Sequence, residues 1–101
     1  MQEKVVIKRM VLDVMKPHKP PMVEIGTELS ALEGIDGVHL ALVELDKTVE
    51  NVKITIEGQD IDFKRVEALL EDNGASIHSV DKVAIGKKGK APVEEATDFK
   101  R

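Results

Sequence analysis

The order of the secondary-structure elements is the sequence feature that most constrains this chain. Apolar periodicity predicts a strand, a helix, two strands, a second helix and a final strand, in that order. This β-α-β-β-α-β order is typical of the ferredoxin-like, split βαβ arrangement. Right-handed crossovers then place both helices on one face of a four-stranded antiparallel sheet with strand order 4-1-3-2. We therefore expect an α+β two-layer sandwich with a ferredoxin-like fold.

Local residue patterns place the individual elements. Residues 4–15 are rich in β-branched and long apolar side chains and predict the first strand, whereas residues 38–47 and 49–57 predict a β-hairpin. Asp62 is a good N-cap for the second helix, and residues 75–85 predict the last strand. The first helix is predicted by apolar residues that recur at helical spacing: Met22, Ile25, Leu29 and Leu32.

The length of the chain indicates one domain. A chain of 101 residues has room for a single core. We expect a folded domain over residues 1–86. Residues 87–101 show no helical or strand periodicity, so we expect a flexible C-terminal tail that is mobile in solvent.

Composition excludes several classes of function. The net charge of −4 argues against a nucleic-acid partner, because phosphate binding requires clustered cations. The chain has no cysteine, which excludes disulfides, thiolate metal sites and cysteine nucleophiles. No apolar run reaches the roughly 18–20 residues of a membrane span, and a signal-peptide core is absent. We expect a cytoplasmic protein with neither a membrane nor a nucleic-acid partner.

The predicted sandwich leaves one face of the sheet without helices. Val11 falls on this face, together with apolar residues of the 38–45 strand, whose register the sequence leaves open. Small soluble proteins normally cover an apolar patch of this kind. We therefore expect a homo-oligomer that forms through the sheet face or through pairing of edge strands.

Two polar clusters fall at one end of the predicted sheet. Asp13, Lys16 and His18 close the first strand, and His78 and Ser79 open the last strand. Because these strands are antiparallel neighbours, the five side chains are expected to approach one another as a ligand-binding site. A carboxylate beside an imidazole can fix its tautomer, raise its pKa or share a metal ion with it.

A divalent-cation site is a second possibility at this end of the sheet. Asp13, Glu44, Asp46 and His78 are the candidate ligands, for a hard cation such as Ca²⁺ or Mg²⁺. Each residue also has a simpler interpretation. His78 would be a strand histidine bonded to a neighbour, and Asp13 would cap the following loop. The hairpin carboxylates could collect the cation at subunit contacts or could simply be solvated: Glu44, Asp46, Glu50 and Glu57.

Three segments in order also carry a resemblance to a known family: Asp13-Val-Met-Lys-Pro-His18, Val52-Lys-Ile-Thr-Ile-Glu-Gly58 and Ile77-His-Ser-Val-Asp-Lys-Val83. They resemble the archaeal family called domain of unknown function 211, over roughly residues 4–86. The resemblance implies a ferredoxin-like fold, a stand-alone archaeal protein and oligomers. It implies no particular activity and no functional residues, and the tail after Gly86 falls outside it.

These observations favour a non-catalytic, oligomeric ligand-binding or regulatory and assembly module. The alternative is a divalent-cation-binding protein. A small enzyme that uses Asp13 and His78 is a third hypothesis, although no catalytic residues are assigned, because the serines lack a glycine elbow and the glycines form no phosphate loop.

Overall fold

The computed structural model describes residues 3–94 and contains all six predicted elements in the predicted order. All four strands are longer than the two helices. Among the described residues, neither helix has the length and hydropathy to cross a membrane. The elements are β1 (Val5–Pro17), α1 (Met22–Ser30), β2 (Ile35–Leu45), β3 (Val49–Ile61), α2 (Phe63–Asp72) and β4 (Ser76–Lys87).

The strands form one antiparallel sheet with the order β2-β3-β1-β4. This is the predicted order 4-1-3-2 counted from the opposite edge. Ile25 and Leu29 of α1 share a single core with Val66 and Leu70 of α2, so both helices cover the same face of the sheet. The ferredoxin-like α+β fold is confirmed.

Strict alternation in the two central strands builds this core. Met10, Leu12 and Val14 of β1 face the helices, as their spacing predicted. Their partners on β3 complete the apolar layer: Ile56, Ile54 and Val52. The N-cap prediction is also confirmed, because Asp62 Oδ1 accepts hydrogen bonds from the backbone of Lys64 and Arg65 at 3.1 and 3.3 Å.

Edge strand β4 reaches the same core face through two register shifts. Its residues Ile77, Val80 and Val83 lie three apart and pair with Val14, Leu12 and Met10. Simple alternation would turn Val80 to the other face, but a bulge on each side of it adds one residue to β4. The bulges therefore keep Ile77, Val80 and Val83 on the helix side.

The helices are too short to cover the strands that they pack against. At about 3.3 Å per residue, strands of 11–13 residues extend about 36–43 Å. Helices of 9 and 10 residues rise only about 15 Å. Some apolar side chains on the helix side of the sheet consequently stay exposed, and they lie on both edge strands: Leu42 and Leu45 of β2, and Val80, Val83 and Ile85 of β4.

The helix-free face differs from the expectation that it would be apolar. Val11 lies at its centre but is only 7% exposed, between Thr55 of β3 and Lys82 of β4. Most of the other side chains of this face are polar or charged: Arg9, Asp13, Asn51, Lys53, Glu57 and Ser79. The apolar surface that the sequence analysis placed on this face lies instead along the edges of the helix side.

The chain continues along the sheet past the predicted domain boundary at residue 86. Strand β4 includes Lys87, and the Lys88 N–H donates to the Lys4 carbonyl at 2.8 Å. Buried Lys8 donates through Nζ to the Lys90 carbonyl. The predicted tail therefore begins with residues that contact β1 or the residue before it: Lys87, Lys88 and Lys90. Residues 95–101 lie outside the described residues.

Two glycines fix the start of the β2–β3 hairpin. The Gly34 carbonyl accepts hydrogen bonds from the backbone of Gln59 and Asp60 at 2.9 and 3.2 Å. A Cβ on Gly58 would overlap this carbonyl oxygen, whereas a Cβ on Gly37 would meet nothing within 4 Å. Gly58 and Gly37 therefore lie on the same hairpin but differ in whether a methyl group can be accommodated.

We expect Gly58→Ala to lower the free energy of unfolding by about 1–3 kcal/mol, as overpacking against backbone typically does. Gly37→Ala should stay within about 1 kcal/mol of the parent protein, because a methyl group there meets open space. Urea denaturation followed by circular dichroism measures both. Equal stability of the two variants would contradict the close approach of Gly34 and Gly58.

Candidate functional site

A buried lysine lies at the end of β1, among the residues that the sequence analysis selected. Lys16 continues the core-facing series after Val14 and is 1% exposed. Its partner on β3 is Glu50. The alternation of the strand therefore carries an ammonium group into a position that an apolar side chain would normally occupy.

Glu50 balances this buried charge. Lys16 Nζ lies 2.8 Å from Glu50 Oε1 and also donates to the Pro17 carbonyl at 2.8 Å. A buried ammonium without such partners would be costly, because water no longer solvates it. Within residues 3–94, no buried side-chain nitrogen or oxygen lacks a hydrogen-bond partner.

His18 binds the second oxygen of the same carboxylate. Its Nδ1 lies 3.1 Å from Glu50 Oε2, and its Nε2 lies 2.8 Å from the Lys47 carbonyl. A carbonyl oxygen only accepts, so Nε2 must carry a proton. Nδ1 donates to the carboxylate as well when the ring is doubly protonated, so this geometry suits the imidazolium form.

The hydrogen bonds of this cluster shift the pKa values of His18 and Glu50 in opposite directions. The hydrogen bond to Glu50, followed by that to the Lys47 carbonyl, raises the pKa of His18 above 6.5. The hydrogen bond from Lys16, followed by that from His18, lowers the pKa of Glu50 below 4.5. Both shifts favour the charged forms, so Lys16, Glu50 and His18 are a cation–anion–cation cluster, called here the Glu50 cluster.

The Glu50 cluster joins three parts of the chain. Lys16 belongs to β1, Glu50 to β3, and His18 reaches the loop between β2 and β3 through Lys47. Both carboxylate oxygens of Glu50 are engaged by cationic groups. This arrangement holds the end of the sheet together and leaves the carboxylate poorly placed to bind a metal ion.

The other predicted site residues lie elsewhere. Asp13 projects from the helix-free face and accepts a hydrogen bond from Asn51 Nδ2. Ser79 is the register partner of Asp13, but its hydroxyl donates to Asp81 Oδ1 at 2.7 Å. His78 is exposed at a bulge of β4. The structure therefore brings Asp13 and Ser79 to neighbouring positions, and among residues 3–94 no hydrogen bond or ion pair joins His78 to Lys16 or His18.

The predicted metal ligands form no cluster of their own. Asp46 Oδ1 accepts from the Lys47 N–H at 2.7 Å and so shapes the hairpin turn. Glu44 pairs in register with Asn51 on the helix-free face. Among residues 3–94 there is no group of three or more His, Asp or Glu side chains that could hold a metal ion.

Glu50 is the central residue that the sequence analysis undervalued. The sequence suggested a hairpin carboxylate that either helps to bind a cation or is solvated, although Lys16 stands in a core-facing register position and requires an anion. The register between β1 and β3 places Glu50 directly across from Lys16. That pairing joins two strands that α1 and β2 separate in the chain, so no local sequence pattern fixes its register.

Two comparisons with known proteins identify relatives of this chain. The chain matches the model of the family described as "Uncharacterized ArCR", domain of unknown function 211, over residues 8–98. It is also 46% identical over 82 residues to "Uncharacterized protein MJ0319" of the archaeon Methanocaldococcus jannaschii. The aligned residues are 81% of this chain and 84% of that protein.

The chain is therefore a member of the domain of unknown function 211 family. The resemblance that three short segments indicated is confirmed. The family match continues to residue 98, whereas the resemblance was expected to end at Gly86. The segment that follows β4 is thus part of what the family shares.

The Glu50 cluster predicts a specific dependence of stability on pH. A raised folded-state pKa means that the His18 contribution is complete below pH 6.5 and is lost as the pH rises through the folded value. The lowered pKa of Glu50 means that its contribution is complete above pH 4.5 and is lost on acidification through the folded value. Both contributions to stability are therefore complete between pH 4.5 and pH 6.5.

We expect His18→Gln to lower the melting temperature more at about pH 5.5 than at about pH 8.5, because only the acidic condition keeps the imidazolium. Thermal unfolding in matched buffers measures the difference. His78→Gln, which removes an exposed imidazole outside the cluster, is the control and should leave the pH profile unchanged. A His18→Gln effect that is equal at both pH values would rule out the charged interaction.

We expect Glu50→Gln to lower the urea midpoint, because it leaves the buried Lys16 ammonium without an anion. The double variant Lys16→Met with Glu50→Gln should recover much of the loss, since Met fills a similar volume without a charge. Chemical denaturation compares the two proteins. A double variant as unstable as the single one would show that Glu50 acts through packing and not through its charge.

Proposed function

We propose that this protein is a non-catalytic module that assembles with further copies of itself through the apolar edges of its sheet. The observation that carries the proposal is the set of half-exposed aliphatic side chains beyond the helices. Val80, Val83 and Ile85, called here the β4 strip, are between 46% and 52% exposed. Leu42 and Leu45 of β2 are exposed on the opposite edge of the same sheet face.

Both groups of side chains are extensions of the core. Val83 pairs with Met10, and Leu42 pairs with Val52, and both of these partners are buried beneath the helices. Full burial of an aliphatic side chain contributes about 1.5–3 kcal/mol of stabilising free energy. A half-exposed side chain could therefore contribute about 1 kcal/mol more if its remaining exposed surface were buried. A second copy placed against an edge would gain this remaining contribution.

The chemistry of the two edges favours contact through side chains. Strand β4 has a register shift on either side of Val80, which interrupts the regular backbone pattern that a pairing strand would need. The two edges also differ in sequence. Contact between the β4 strip of one copy and the Leu42 edge of the next would be heterologous, and such contacts close into rings or continue as chains.

The polar groups support a non-catalytic module. Within residues 3–94, no hydrogen bond joins Asp13 to His78, because Asp13 binds Asn51 and His78 is exposed. The divalent-cation alternative also receives little support. Several hairpin carboxylates already have partners, since Glu50 binds two cationic groups and Glu57 lies 3.0 Å from Arg9 Nε.

We expect sedimentation velocity to show an oligomer for the parent protein at micromolar concentration. Val83→Asp and Leu42→Asp should each reduce the sedimenting mass, because a carboxylate in a dry interface is strongly unfavourable. Val23→Asp, which places the same charge on an exposed position of α1, is the matched control and should keep the parent mass.

A parent protein that sediments as a monomer at all micromolar concentrations would contradict the proposal. Circular dichroism should show that each variant keeps the fold, so that a smaller mass reports the interface and not unfolding. Loss of mass in Val83→Asp alone would restrict the contact to the β4 edge and contradict the heterologous arrangement.

A further inference from the structure

The helix-free face of the sheet holds a cleft that lies away from the Glu50 cluster. Val11 forms its floor, flanked by Thr55 of β3 and Lys82 of β4. One wall is β4 from Lys82 to Ile85, and the segment after β4 contributes Val93 on the outside. The cleft has a volume of about 710 Å³, within the range of small-molecule sites.

The lining of this cleft contains more cationic than acidic side chains. Arg9, Lys53 and Lys82 line it, and Glu94 is the acidic side chain in its described lining. The chain as a whole carries a net charge of −4. Cationic side chains on an acidic protein give an anionic ligand a favourable place to bind.

Two of these cationic side chains, Arg9 and Lys53, keep hydrogen-bond donors for a ligand. Arg9 pairs through Nε with Glu57 at 3.0 Å, which leaves its other guanidinium nitrogens. Lys53 has no ion-pair partner in the described part of the chain, because its register neighbour Asp13 accepts from Asn51. An arginine nitrogen and a lysine ammonium are suitable donors for a carboxylate or phosphate group.

The cleft also offers an apolar surface beside these charges. Val11 is 7% exposed at the floor, and Val93 stands at the outer wall. The Thr55 hydroxyl adds a neutral donor next to Val11. A ligand that satisfied all of these groups would have an anionic head group and a short apolar body.

We propose that this cleft binds a small organic anion, with its carboxylate or phosphate at Lys53 and Arg9 and its apolar body against Val11. This inference goes beyond the proposed function, since it concerns the helix-free face and needs no second copy. Its test reports binding, whereas sedimentation reports assembly, so the failure of one is distinguishable from the failure of the other.

The test is an NMR titration of the full chain with phenyl phosphate as the probe. We expect saturable shifts at the amides of Val11 and Thr55. Inorganic phosphate and benzyl alcohol, which carry only the head group or only the body, should bind at least about tenfold more weakly. Benzoate in a parallel titration distinguishes a carboxylate from a phosphate head group, and saturable binding of either probe at these amides supports the proposal.

Substitutions in the cleft test which side chains contact the bound probe. Lys53→Gln should weaken binding of the probe by about tenfold, as loss of one charge-assisted hydrogen bond does. Glu94→Gln should strengthen binding, because it removes an acidic group from the cleft. Lys64→Gln changes the net charge as Lys53→Gln does, but on α2, and should leave the affinity unchanged.

Three results of the titration would overturn the inference. They are the absence of saturable shifts with either organic probe, shifts that avoid the helix-free face, and equal affinities for phenyl phosphate and inorganic phosphate. Equal losses of affinity in Lys53→Gln and Lys64→Gln would also overturn it, because the effect would then follow net charge and not the cleft.

Discussion

The mismatch in length between strands and helices governs the surface of this protein. The sheet is built from strands of 11–13 residues, whereas the helices have 9 and 10 residues. A helix rises less than half as far per residue as a strand, so it covers only part of the strand beneath it. The core therefore ends within the sheet, and the same apolar face that fills it continues outward to Val83 and Leu42.

The Glu50 cluster shows how one end of the sheet is closed without apolar residues. Lys16 follows Val14 in the core-facing series, and its buried ammonium requires the carboxylate that β3 supplies. His18 then uses the second carboxylate oxygen and connects it to the β2–β3 loop. Because one anion serves two cations from different segments, the polar end of the domain holds β1 and the hairpin in a single register.

Much of the fold could be predicted from residue patterns, but less of the site. Period-2 alternation in β1 and β3, and the Asp62 N-cap, each depend on neighbouring residues and were therefore visible in the sequence. The grouping of Lys16, His18 and Glu50 depends on the register between β1 and β3, which are distant in the chain, and the sequence predicted instead that Lys16 and His18 would approach His78. The position of His78 was obscured by the β4 bulges, which no local pattern marked.

The sequence by itself determined the element order, the ferredoxin-like topology and the core faces of the central strands, because these follow from periodicity and crossover handedness. Only the tertiary structure decided which face carries the exposed apolar residues. The register shifts in β4 turn Val80 toward the helix side, while Arg9, Lys53 and Thr55 occupy the opposite face around Val11. Register and relative element length arise from pairing between distant segments, so they become definite only when the sheet has formed.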